Sequence, residues 1–114
     1  MVTATVPAIS FISLESPTNM LEALEGALLG EILREGVGRI SSVNFSVDSN
    51  RGRAVVDLIG EVCEGEIALR IFYGSHGVQE SINSWIAEER IQEFKTEIAR
   101  TDGRMYILVV GRKA

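Results

Sequence analysis

The segment from Tyr73 to Gly77 reads YGSHG and holds the chain's one histidine, beside a serine and between two glycines. A neutral imidazole next to a hydroxyl can act as base and nucleophile, and a glycine-flanked turn ahead of a helix can aim backbone N–H groups at an anion. Ser75, His76 and Gly77, with Arg51 and Arg53 as cationic partners, are therefore the candidate ligand-binding residues, and the matching ligand is an anion or a nucleotide phosphate. The Gly74-Ser75-His76-Gly77 loop nevertheless lacks the lysine and spacing of a P-loop, and no acidic residue is placed by sequence to orient His76. No catalytic residue is assigned. The plainer reading is a strand-to-helix joint in which Ser75, His76 or Gly77 caps a helix and Glu80 sits in its first turn.

Cys63 could pair with His76 as a thiol-imidazole dyad, but it stands among Glu61, Glu64 and Glu66. Neighbouring carboxylates disfavour the thiolate, which is the form a nucleophile needs. The same glutamates could hold a hard cation, yet their spacing is not that of an EF-hand loop. They read as a solvated acidic end, and neither a metal nor a cofactor is expected. Arg51 and Arg53 mark a basic end, which Arg100 and Arg104 would join if a last hairpin turned there. Such a rim could meet an acidic partner or a phosphate.

These residues need elements to position them. Ser16-Pro17 is a good N-cap and first-turn pair ahead of a Leu-, Ala- and Glu-rich run that Gly36 or Gly38 can close, so a helix is expected from about 17 to 35. Before it, AISFISL at 8–14 reads as a strand, and residues 1–6 as a frayed end. VNFSV, RAVVDLIGEV and EIALRIFY alternate with period two, which predicts three half-buried strands. Matching their apolar faces sets Val47 opposite Ala54, Phe45 opposite Val56 and Val43 opposite Leu58, with an Asp48–Arg53 ion pair at the turn. The same matching makes Glu64-Gly65 a two-residue turn and places all three strands in one sheet.

A second helix starts near Val78. Its apolar positions switch to the opposite face near Glu88 to Arg90, so either it kinks and continues to about 100, or it stops near 89 and EFKTEIAR pairs with RMYILVVGR across a TDG turn. The hairpin is the adopted reading. The expected order is β-α-β-β-β-α-β-β, an α+β two-layer sandwich of a mainly antiparallel sheet with helices packed against it. The last strand is apolar on both faces, which implies a central place or a second cover, such as another subunit.

With 114 residues the chain fits a single domain, in which folding buries roughly 65% of the extended surface. The net charge of −5 disfavours nucleic acid and anionic lipid as partners. One cysteine excludes an intramolecular disulfide, and the sequence carries no export signal or run of ~20 apolar residues, so the cytoplasm is the expected location and no membrane is involved.

The first helix carries one further pattern. Met20, Leu21, Leu24, Leu28 and Ile32 form its apolar face, while Ala23, Gly26, Ala27 and Gly30 form a second stripe of small residues flanked by Leu29 and Leu33. Each mid-helix glycine costs about 1 kcal/mol relative to alanine, so two of them suggest a close backbone approach. The partner is either the second helix of the same chain, the preferred reading, or the same helix across a two-fold axis. The order of elements resembles that of type III secretion chaperones and related small dimeric folds, in arrangement and not in any motif. The function expected is that of a non-enzymatic protein-binding module, a homodimeric adaptor or chaperone-like protein.

Overall fold

The computed structural model describes residues 3–11, 17–48, 53–74, 77–101 and 104–114. Along the chain these form β1 (Thr3–Phe11), α1 (Pro17–Glu35), β2 (Val37–Asp48), β3 (Arg53–Val62), β4 (Ile67–Gly74), α2 (Val78–Glu89), β5 (Ile91–Thr101) and β6 (Arg104–Lys113). The class is α+β, in the expected order. α2 stops at Glu89 because Arg90 adopts a left-handed conformation, φ 55, and donates its N–H to the Ala87 carbonyl at 3.3 Å. The reversal of the apolar pattern at that point is the switch from helix to strand.

The first hairpin has the register that alternation predicts, with Val47 against Ala54, Phe45 against Val56, Val43 against Leu58 and Asp48 against Arg53. β1 differs from its expected bounds. It begins at Thr3, taking in residues 3–6 that the sequence assigns to a frayed end, and pairs antiparallel with β3 from Thr3↔Glu61 to Phe11↔Arg53. A middle strand exposes hydrogen-bonding groups along both edges, and β1 satisfies the second of them over nine pairs.

With both edges of β3 filled, β4 has no place beside it. The expected single sheet is therefore two three-stranded antiparallel sheets, β1-β3-β2 and β4-β6-β5. Residues 63–66 do not form a two-residue hairpin turn but cross the start of β2 to reach the second sheet. The crossing is close: a Cβ on Gly38 would run into the Cys63 carbonyl oxygen. β6 takes the central place that its two apolar faces imply, and the cover on its second face is α2 of the same chain.

One unit is used twice. In β1-α1-β2-β3 and in β4-α2-β5-β6 the last strand lies between the first two. Each helix ends on a left-handed residue, Gly36 or Arg90. Each following strand opens with a bulge, at Val37/Arg39 or at Ile91/Glu93, beside a glycine of the central strand. A Cβ on Gly60 would strike the Val37 side chain, and one on Gly111 the Ile91 side chain, so the same local constraint recurs in both halves.

β2 and β5 bring the two sheets edge to edge. Arg39 Nε lies 3.2 Å from a Glu93 carboxylate oxygen, and Val43 lies across a shallow cleft from Lys95 and Thr96. α1 packs against β1 and β4 and drives Leu21, Leu24, Leu28 and Ile32 into the space between the sheets. There they meet Val56, Leu58, Ile71 and Leu108. A second cluster forms on the far face of the second sheet, where Val78, Ile82 and Trp85 of α2 cover Ala68, Phe72 and Val109.

Candidate functional site

Of the candidates expected for anion binding, Ser75, His76 and Arg51 lie outside the described residues. Gly77 is the N-cap of α2, left-handed at φ 71, and its carbonyl accepts hydrogen bonds from the N–H and the hydroxyl of Ser81, both at 3.2 Å. The backbone of Arg53 stands opposite Asp48, while the ion pair expected there lies outside the described side chains. β2 and β5 run side by side in the same direction, with Arg39 near Glu93 and Val43 near Lys95 and Thr96. Arg104 has its guanidinium 5.9 Å from the centre of the Tyr73 ring. At the opposite end Cys63 is an exposed free thiol. Among the described residues no group of three His, Cys, Asp or Glu side chains is placed to hold a metal, and no helix is long and apolar enough to cross a membrane.

The small-residue stripe of α1 does not meet α2. Ala23, Gly26, Ala27 and Gly30 are all exposed, and a Cβ added at Gly26 or Gly30 has nothing within 4 Å. Among the described residues, the close approach expected within the chain is therefore not made. α1 turns its apolar face inward, which leaves the stripe, on the opposite side of the helix, to solvent. Leu29 and Leu33 occupy the flank between these faces. Leu29 is half-buried and Leu33 is 79% exposed.

That flank borders a groove. Its floor is β4, an edge strand of the second sheet, and its walls are α1 and α2. One half, about 740 Å³, runs over Arg70 to Tyr73 and is lined by Glu22 and Glu25 from α1 and by Ser84 and Glu88 from α2. The other half, about 410 Å³, runs over Gly65 to Leu69 beneath Leu29 and Leu33. Trp85 borders both halves and is held edge-on to the Phe72 ring, with the centroids 5.8 Å apart.

The floor is polar in a specific way. The Lys113 N–H bonds to the Glu66 carbonyl at 2.8 Å, which sets the alternation of the ladder. Residues 66, 68, 70 and 72 turn their N–H and C=O groups toward β6, so those of Ile67, Leu69, Ile71 and Tyr73 point into the groove. The Ile71 N–H is met by Oε1 of Glu25 at 2.6 Å. Burial pushes the Glu25 carboxyl above its ordinary value, against the opposing pull of that hydrogen bond and of the Arg70 guanidinium. Arg70 in turn lies 5.3 Å from the centre of the Phe72 ring. At the apolar end Lys113 bridges Glu89 at 2.9 Å and Glu66 at 3.4 Å, which raises its own pKa and offsets one of those two negative charges. The larger net negative charge of the groove lies around Glu22, Glu25 and Glu88, which face Arg70.

Sequence reasoning finds Leu29 and Leu33 but misses Glu25, Trp85 and the open edge of β4. Glu25 has a legible signal, a carboxylate four residues from both Leu21 and Leu29 on the border of the apolar face. The open edge has none while β4 is assigned to a meander with β3. Comparison with family models, with curated proteins and with solved structures finds no match to this chain.

Proposed function

We propose that this chain is a non-enzymatic protein-binding module of the cytoplasm, an adaptor or chaperone-like protein that takes a polypeptide segment of its partner into the groove between α1 and α2. The observation that carries this reading is the open edge of β4 lying between half-buried Leu29 with exposed Leu33 on one side and Trp85 on the other. A sheet edge offers main-chain hydrogen bonds, and flanking apolar walls supply the burial that gives such bonds affinity.

The test is an array of sequence-diverse peptides probed with the native chain and with Leu33→Asp and Ser84→Arg, both on exposed positions of the groove walls. The expected result is a set of peptides held by the native chain and weakened about tenfold or more by either substitution, with melting temperatures unchanged. An array that stays blank, or one on which both variants bind as the native chain does, would overturn the proposal.

The homodimer is a separate proposal, favoured by the exposure of Leu33 and the open stripe from Ala23 to Gly30. Small residues there would let a second α1 approach closely. A solution mass of twice 12.5 kDa by light scattering supports it, and 12.5 kDa at high protein concentration excludes it.

A further inference from the structure

We infer that the groove takes its partner as an added β-strand on β4, and that the partner segment is extended, apolar over Gly65 to Leu69 and basic over Arg70 to Tyr73. The inference rests on the reading of the groove as a polypeptide site and assigns the mode and chemistry of binding.

Three observations converge on it. The main-chain groups of Ile67, Leu69, Ile71 and Tyr73 face the groove at the spacing of a strand edge, which a neighbouring strand matches and a helix does not. The two halves differ in chemistry along the strand direction. Leu29, Ile32 and Leu33 line the half over Gly65 to Leu69, while Glu22, Glu25 and Glu88 line the half over Arg70 to Tyr73 against Arg70, and Trp85 borders both. Lys113 offsets one of the two carboxylates at the first end, Glu66 and Glu89, whereas Arg70 faces three at the second, so the attraction for incoming cations is stronger at the second end.

Glu25 then has a defined role. In the free chain its carboxylate satisfies the Ile71 N–H and occupies the edge, as inward-pointing charges do on protected edge strands. On docking, a partner carbonyl accepts the Ile71 N–H and the released carboxylate pairs with a partner Lys or Arg. The exchange leaves no buried donor unmet.

The experiment uses the full chain and four acetylated heptapeptides. Two are Val-Leu-Val-Ser-Lys-Ser-Lys and its reversed sequence, so that both strand directions are sampled. The third carries Glu in place of Lys. The fourth is the tighter of the first two, N-methylated at every residue so that neither edge can donate. Binding is read from Trp85 fluorescence, and edge pairing from hydrogen exchange at the Leu69 and Tyr73 amides.

The expected result is binding by one lysine peptide, slowed exchange at both amides, and losses of about tenfold or more on Glu replacement and on N-methylation. Equal binding by the N-methylated peptide would overturn strand addition while leaving the groove as a peptide site. Equal binding by the Glu peptide would overturn the basic partner. If no heptapeptide binds, the strand-addition inference fails; if the sequence-diverse array is blank as well, the reading it rests on falls with it. Slowed exchange at the same amides without peptide, growing with protein concentration, would assign the groove to a second copy of the chain and overturn the inference.

Discussion

Replacing both Gly26 and Gly30 by alanine should stabilise the isolated chain. Both lie in the interior of α1, and the space where each new methyl would sit is open to 4 Å. No steric cost therefore offsets the gain in helix propensity, about 1 kcal/mol for each glycine removed, or about 2 kcal/mol together. With an unfolding entropy of about 2.1 cal/mol/K per residue, 114 residues give about 0.24 kcal/mol/K, so the melting temperature should rise by about 8 °C. The assay is thermal unfolding by circular dichroism or calorimetry, at a concentration where light scattering gives the monomer mass. An unchanged or lower melting temperature under those conditions would refute the reasoning, because it would require a contact at α1 that the single chain does not make. At higher concentration the same pair of proteins reports on the homodimer, since methyl groups on a closely packed helix face would lower the doubled mass fraction.

Leu28 is fully buried between the sheets, so Leu28→Ala should cost about 2–5 kcal/mol in urea unfolding, whereas Leu33→Ala, at an exposed position, should stay within about 0.5 kcal/mol of the native chain. For Glu25 the sign follows from a folded-state pKa raised above the ordinary 4.5: its contribution to stability is fully present below 4.5 and is lost as pH rises through the folded value. Glu25→Gln keeps an acceptor for the Ile71 N–H and carries no charge, so urea unfolding across that interval should show a decline for the native chain that is missing in the variant, and parallel curves would refute the assignment.

Local periodicity made much of this molecule legible. The span of α1 follows from its opening proline, its helix-forming interior and its closing glycine, and the β2–β3 register follows because a one-residue slip would turn Phe45, Val56 and Leu58 outward. The end of α2 at Glu89 is visible as a change of apolar face, since side chains that switch faces cannot all pack on one side of a straight helix. The repeat left a trace as well. LIGEV at 58–62 and VVGRK at 109–113 both place a glycine where a bulged neighbour crowds the central strand. That trace is short, because only the crowded position constrains residue type while the rest of each unit needs only alternation.

Which strands pair is a different kind of fact. Alternation tells a strand which face to bury and says nothing about its neighbour, so β3 and β4 look equally fit for a meander and for separate sheets. The choice is made at a distance, by β1 filling the second edge of β3 and by β6 offering β4 an edge between two apolar faces. The groove depends on that choice. Once β4 lies at the rim of its own sheet between two helices, an edge appears, Glu25 comes to lie over the Ile71 N–H, and Trp85 comes to border both halves. Most of the elements, their order and the faces they bury were legible in the chain, because these are set by neighbours a few residues away. The sheets and the site were not, because both arise from contacts between residues distant along the chain, where many pairings satisfy the same pattern and packing selects one.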